Sequence, residues 1–270
     1  MTILDTILEE KKNEVNRLKK LDPTHFPERN RVLHSFYKTC RTAEKVQVIA
    51  EFKRSSPSKG EINHQLDPRT QAIAYRDAGA AMLSVLTDQT FFKGSMQDLL
   101  EISETVSLPV LNKDFIIDPI QIDQAYAYGA DLILLIVAAL TDDKLKELHY
   151  YAESLGMEVL VEVHNEDELK RARPLSPKLI GVNNRNLKTF DVNLETTERL
   201  AQLIDTEKVV LVSESGMLTR EDVRRVEIAG ARAVLVGETL MKSDNVADII
   251  RPFSIKRGER DAGQNLWHPN

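Results

Sequence analysis

From residue 46 onward, short runs of apolar, β-favouring residues alternate with polar loops and with segments whose apolar positions recur at helical spacing. The runs fall at 46–53, 81–87, 109–115, 131–138, 158–163, 178–183, 208–214 and 233–237, and predict eight strands. Asp67-Pro68, Asp118-Pro119 and Thr141-Asp142-Asp143 have the side chains that cap a helix start, where backbone donors lack partners. Gly79, Gly129, Gly156 and Gly230 follow helical stretches and mark their ends. Strictly alternating strands and helices demand a parallel sheet with right-handed crossovers, and this many units favour closure into a (β/α)8 TIM barrel. An open doubly wound sheet would carry a glycine-rich dinucleotide loop after its first strand, and Lys53-Arg-Ser-Ser-Pro-Ser-Lys-Gly60 has no GxGxxG.

Ahead of the barrel, Ile3, Leu4, Ile7, Leu8, Val15 and Leu18 share one face of an extra helix predicted over 2–20, which is expected to cap the barrel rather than bind a partner. Residues 1–255 are read as one domain and 256–270, with Trp267, as a polar tail. The longest apolar stretch, 132–140, is too short for a membrane span and fits a strand buried on both faces.

Composition narrows the function classes. A chain of 270 residues with 42% hydrophobic residues is enough for one large core, while a net charge of -6 gives no footing for nucleic acid. Cys40 is the only cysteine, so no intrachain disulfide or thiolate cluster can form, and the N-terminus lacks a signal peptide's basic start. A reducing cytoplasm is therefore expected. The histidines His25, His34, His64, His149, His164 and His268 lack the paired spacing of a zinc site and are read as surface residues; no metal or cofactor is expected.

Strand parity locates the chemistry. Side chains alternate across a strand, so Ile49, Glu51 and Lys53 share a face, as do Leu111, Lys113 and Phe115, Leu160 and Glu162, Leu179, Gly181, Asn183 and Arg185, and Val210, Val212 and Glu214. In each set the polar residue sits at the carboxyl end, where active sites of this fold lie. One such charge is an ordinary strand end; this many in one mouth make sense as mutually compensating groups that meet a polar ligand. Ser213-Glu-Ser-Gly216 and Val236-Gly-Glu-Thr239 follow the seventh and eighth strands, where barrels commonly bind phosphate through backbone N–H groups. Gly216, Gly237 and Glu238 are the candidates there, and Ser56, Ser58 and Lys59 could close over the same site.

The run Ile49-Ala-Glu-Phe-Lys-Arg-Ser-Ser-Pro-Ser-Lys-Gly60 resembles the first-strand signature of indole-3-glycerol-phosphate synthases. Phe92-Lys-Gly-Ser95, Leu111-Asn-Lys-Asp-Phe115, Leu160-Val-Glu-Val-His164, Gly181-Val-Asn-Asn-Arg-Asn-Leu187, Ser213-Glu-Ser-Gly216 and Val236-Gly-Glu-Thr-Leu-Met241 resemble later blocks of that family in the same order. Asn112 and Glu238 stand where the family is expected to vary. The resemblance implies a carboxy-lyase of tryptophan biosynthesis that converts 1-(2-carboxyphenylamino)-1-deoxyribulose 5-phosphate to indole-3-glycerol phosphate, carbon dioxide and water. It implies Lys113 as acid, Glu162 as base, Lys53 as a second acid or carboxylate ligand, and Glu51 and Asn183 as shapers of the hydrogen bonds around the base. Substrate would be held by Ser56, Phe92, Phe115, Leu134, Arg185, Leu187, Glu214 and Ser215, and Lys113 is expected to have a pKa lowered by neighbours such as Lys53 and Phe115. The partner would be a small sugar phosphate, with no nucleic acid or membrane, and the family expectation is a monomer. Rival readings are another phosphate-binding barrel, an isomerase or epimerase, and a barrel that senses a phosphate metabolite without turnover.

Overall fold

The computed structural model describes residues 2–21, 25–56, 60–61 and 67–258, except the side chains of Ser56 and Glu61. Eight parallel strands close on themselves: β1 (Gln47–Phe52), β2 (Met82–Leu86), β3 (Val110–Lys113), β4 (Leu132–Ile136), β5 (Glu158–Val163), β6 (Leu179–Asn183), β7 (Val210–Glu214) and β8 (Ala233–Val236). Each pairs with its neighbour in sequence, and β1 meets β8 with Ile49 opposite Leu235. The TIM barrel read from the alternation is the fold found, with strand ends within two residues of those expected. Asp67, Asp118 and Thr141 cap their helices, and Gly79, Gly129, Gly156 and Gly230 all take positive φ, the conformation for which a glycine at a helix end is suited.

The sheet separates two cores. Ile49, Met82, Leu111, Leu132, Leu160, Leu179, Val210 and Val212 fill the barrel interior, and the alternate residues of the same strands pack outward against the helices. The interior is apolar until the carboxyl ends, where Glu51, Lys113, Glu162 and Glu214 occupy the positions that parity assigns to the same inward face.

Both ends of the barrel are covered. Helix α1 (Ile3–Leu18), with a capping box between Thr2 and Asp5, brings Ile3, Leu4 and Ile7 over the carboxyl-end cavity. Its Lys11 is fully buried and contacts Asp114 at 2.7 Å, Glu14 at 2.8 Å and Asp88 at 3.1 Å. The expected capping helix is thus present and anchored by a buried ion cluster. Helix α2 (Phe36–Thr42), which the hydrophobic pattern did not reveal, plugs the opposite end with Phe36 and Cys40. Glu158 at the start of β5 receives the Phe36 and Tyr37 N–H groups, each at 3.0 Å, and the Ser35 hydroxyl. Seven residues give too short a periodic signal, and the carboxylate that holds them is more than a hundred positions away.

Residues 256–258 remain attached to the barrel: Lys256 bridges to Lys45, and Arg257 N–H donates to Glu44 O at 2.9 Å. Residues 259–270, including Trp267 and His268, lie outside the described residues, as does His64.

Candidate active site

A cavity of about 980 Å³ opens at the carboxyl ends of the strands. Its walls include Glu51, Lys53, Phe92, Lys113, Phe115, Leu134, Glu162, Asn183, Arg185, Leu187, Glu214, Ser215, Gly216, Gly237 and Glu238. Residues scattered over most of the chain are thereby brought together as strand parity required. Of the expected site residues, Ser56 is described only as backbone, on a short hairpin pairing Ser55–Ser56 with Gly60–Glu61; its side chain, Ser58 and Lys59 lie outside the described residues.

Lys113 is the hub. Its Nζ is 3.2 Å from Glu214 Oε2 and 3.8 Å from both Glu51 Oε2 and Glu162 Oε2. Lys53 belongs to a separate pair, with its Nζ 2.5 Å from Glu51 Oε1. This arrangement corrects the expected lowering of the Lys113 pKa. Burial does favour the neutral amine, but Glu214, Glu162 and Glu51 outweigh it and raise the value above that of an ordinary lysine. Lys53, expected to repel the proton, is engaged by Glu51 instead.

The carboxylates are differentiated by their neighbours. Burial pushes Glu51 upward, yet Lys53 and then Lys113 hold it below the usual carboxylate range. Glu162 is likewise opposed by burial, but His164, Lys113 and Asn183 keep it strongly depressed. Glu214 goes the other way: burial dominates, Lys113 only partly offsets it, and proximity to Glu162 and Glu51 raises it further, to about 7. Both Glu214 oxygens are buried without a hydrogen-bond donor of good geometry, although Lys113 lies close.

Two inward glycines make room for these acids. A Cβ on Gly181 would come 2.1 Å from Glu214 Oε1, and one on Gly237 would come 2.2 Å from Glu51 Oε1. Gly237 was singled out as a phosphate ligand; its second task, admitting Glu51, follows from packing across the barrel.

Because the Glu214 value lies above the ordinary 4.5, the folded protein retains a proton between about pH 4.5 and 7 that the unfolded chain releases. Stability associated with this group therefore falls as pH rises through that window. Glu214→Gln, which removes the ionisation, is expected to melt at a temperature that gains on the wild type between pH 5 and pH 8. Thermal melts at the two pH values test this; an equal offset at both would place Glu214 ionisation outside the window.

The adjacent residues Asn183 and Asn184 do different work. Asn183 donates to Glu162 Oε1 at 3.3 Å and accepts from Ser215 Oγ and Arg185 N–H, each at 3.0 Å. Asn184 points into the scaffold, where its amide donates to Ser213 Oγ, Glu214 O and Ser215 O and accepts from Thr197. It thereby holds Ser215 and Gly216, whose φ values of 65° and 89° make a left-handed pair at the turn after β7. The sequence reading passed over Asn184. It also placed His149 and His164 on the surface, which the structure corrects: His149 is buried, and the His164 side chain is only 10% exposed, beside Glu162.

Part of the lining is aromatic and apolar. Phe92 and Phe115 have ring centroids 6.0 Å apart, and Leu134 and Leu187 line the same cavity. Toward the β7 and β8 loops the wall is small and polar: Ser215, Gly216, Gly237 and Glu238, whose carboxylate takes a hydrogen bond from Lys242 at 2.7 Å.

The family model for indole-3-glycerol phosphate synthase matches residues 4–253. The chain belongs to the indole-3-glycerol phosphate synthase family. It is 54% identical over 246 residues to the indole-3-glycerol phosphate synthase of Oceanobacillus iheyensis, covering 91% of this chain and 94% of the relative. It is 52% identical over 255 residues to that of Bacillus cereus strain G9842, covering 94% and 98% of the two chains. Among solved structures, the N-acetylmannosamine-6-phosphate 2-epimerase from Clostridium perfringens shares the fold, with a TM-score of 0.60 over 78% of this chain and 93% of that one. At 16% identity it speaks for the barrel alone. Among the described residues of this synthase-family chain, no helix is long and apolar enough to cross a membrane.

Proposed function

We propose that this protein closes, decarboxylates and dehydrates 1-(2-carboxyphenylamino)-1-deoxyribulose 5-phosphate to indole-3-glycerol phosphate. The observation that carries the reading is a lysine held among three buried carboxylates beside an aromatic wall, in a chain more than half identical to a named synthase over nearly its whole length.

The substrate's anthranilate ring lies against Phe92, Phe115, Leu134 and Leu187, and its phosphate meets the backbone N–H groups around Gly216 and Gly237, which line the same cavity. Anchoring both ends makes the bent conformer that ring closure needs far more frequent than in water, which can lower the barrier by several kcal/mol. Ser215 and Glu214 bind sugar hydroxyls, Arg185 lines the cavity while its guanidinium donates to Phe190 O at 3.1 Å and steadies the loop after β6, and Ser56 belongs to the phosphate site.

In the first step the ring carbon bearing the carboxylate bonds to the sugar carbonyl carbon, and the carbonyl electron pair moves to oxygen. Lys113 donates a proton to that oxygen. A developing alkoxide is a much stronger base than a lysine amine, so the transfer is downhill even from a cation held by three acids. Carbon dioxide then leaves, its bonding pair restoring the aromatic ring. Finally the new hydroxyl departs as water, taking a proton from Lys53, since Lys113 has already given up its own, while Glu162 removes a proton from the carbon beside nitrogen and the indole double bond forms. Glu51 couples the two lysines, and Asn183 orients Glu162.

We further read residues 1–255 as one domain with a short polar tail, working as a monomer in the cytoplasm on a small sugar phosphate. Incubating the purified protein with the carboxyphenylamino deoxyribulose phosphate, without added metal, should yield indole fluorescence and a product of the corresponding mass. Folded protein that binds inorganic phosphate yet gives no product would replace this reading with that of a metabolite sensor.

A further inference from the structure

His164 follows β5 and lies on the same face as Glu162, two residues earlier. Its Nδ1 is 2.9 Å from Glu168 Oε2, and the same oxygen accepts the backbone N–H of His164 at 2.8 Å. Glu168, in helix α3 (Glu166–Ala172), is itself fixed: its Oε1 accepts from Asn165 Nδ2 at 2.7 Å, and its N–H donates to Asn165 Oδ1 at 3.0 Å. The imidazole is thus locked on one side by a carboxylate that has little freedom. On the other side Nε2, buried and without a linear hydrogen bond, lies 3.2 Å from Glu162 Oε1.

That oxygen is also the one Asn183 touches, at 3.3 Å. Glu162 Oε2 instead lies on the Lys113 side, 3.8 Å from Nζ. One oxygen of the carboxylate is therefore pinned from behind, and the other is left for the chemistry.

We infer that His164 is a positioning residue for Glu162: strung between Glu168 and Glu162 as an imidazolium, it pins Oε1, turns Oε2 toward the substrate and keeps the carboxylate ionised. The inference rests on the reading of Glu162 as the base. Electrostatics agree with the geometry. Burial disfavours the charged ring, but the two flanking carboxylates outweigh it and raise its pKa to about 10. The other groups facing Glu162 cannot substitute for it. Lys113 on β3 is shared with Glu51 on β1 and Glu214 on β7, Lys53 is taken up by Glu51, and Asn183 on β6 is neutral. Without His164, Glu162 would face two like charges with a third of one cation, and its proton affinity would rise.

The decisive experiment compares kcat/KM at pH 5.5 and pH 8 for the wild type, His164→Ala and His164→Gln. Without His164, Glu162 would share the surroundings that raise Glu214 to about 7 and would be largely protonated at pH 5.5, so the ratio of the two rates should shift against pH 5.5 by roughly tenfold or more, with KM moving by less than about threefold. His164→Gln, which returns an N–H near the Nε2 position without the charge, should recover rate at pH 8 but not at pH 5.5. In a Glu162→Gln background, His164→Ala should have no further effect on the residual rate, which a merely structural role would not predict. An unchanged pH ratio in folded His164→Ala, or an equal loss in the Glu162→Gln background, overturns the inference. Nitrogen NMR of the histidine rings in the wild-type protein tests it independently of turnover: a neutral His164 ring at pH 8 would overturn it too. Absence of product from the wild type at every pH would instead count against the proposed reaction.

Discussion

Replacing Lys113 by alanine is expected to lower turnover by roughly 10^2- to 10^4-fold while changing product affinity by less than about tenfold, since an acid acts on the transition state and the anchors at either end of the cavity remain. The substitution does more than remove a proton donor. It leaves Glu51, Glu162 and Glu214 facing one another without the cation that lies within 3.8 Å of each. Glu214, already raised to about 7, would take up a proton and hold it at higher pH. Some loss of stability should accompany the loss of activity, so activity alone would not separate the two roles.

Lys113→Arg separates them. It restores a positive charge among the carboxylates and should recover most of the melting temperature, but a planar, delocalised guanidinium is longer and does not place a proton where the lysine ammonium does. The expected pair of results is a stable, nearly inactive Arg variant and a less stable, nearly inactive Ala variant. Wild-type-like turnover in either folded protein would remove Lys113 from the acid role. If activity instead followed melting temperature across the series, the lysine would be a structural counter-ion only.

The parts of this site that could be read from the sequence are those governed by short-range rules. Period-two alternation put Ile49 and Glu51, or Val212 and Glu214, on one face, and the barrel's consecutive pairing then carried them to one cavity. What could not be read depends on neighbours distant along the chain. The Lys113 pKa was expected to fall because Lys53 was counted as its neighbour; in the folded protein Glu51 lies between them and takes Lys53 for itself. His164 and Asn184 sit beside recognised residues, yet their partners Glu168 and Thr197 come from the helices that follow. Gly181 reads only as an inward position of its strand and Gly237 only as a phosphate glycine because the carboxylates they admit belong to other strands.

Asp131→Ala should show the opposite pattern to Lys113→Ala: a large loss of stability with little loss of kcat at moderate temperature. Asp131 immediately precedes β4 at the end of the barrel remote from the cavity, and it is 1% exposed. One of its oxygens accepts from Arg29 at 2.8 Å and His34 N–H at 3.1 Å, the other from Arg31 at 2.8 Å and Val110 N–H at 3.0 Å. A single carboxylate therefore fastens the segment before α2 to the edges of β3 and β4. Alanine would leave two arginines near each other without their shared anion and two backbone donors unpaired, a cost of about 3–5 kcal/mol. For a domain of this size that corresponds to a fall in melting temperature on the order of 10 °C, which thermal denaturation would register. A melting temperature within about 2 °C of the wild type would mean that the segment is held by the packing of Phe36 and Cys40 in the barrel base rather than by Asp131. A kcat as low as that of Lys113→Ala, measured well below the transition, would break the division of labour in which one end of the barrel holds the fold and the other performs the reaction.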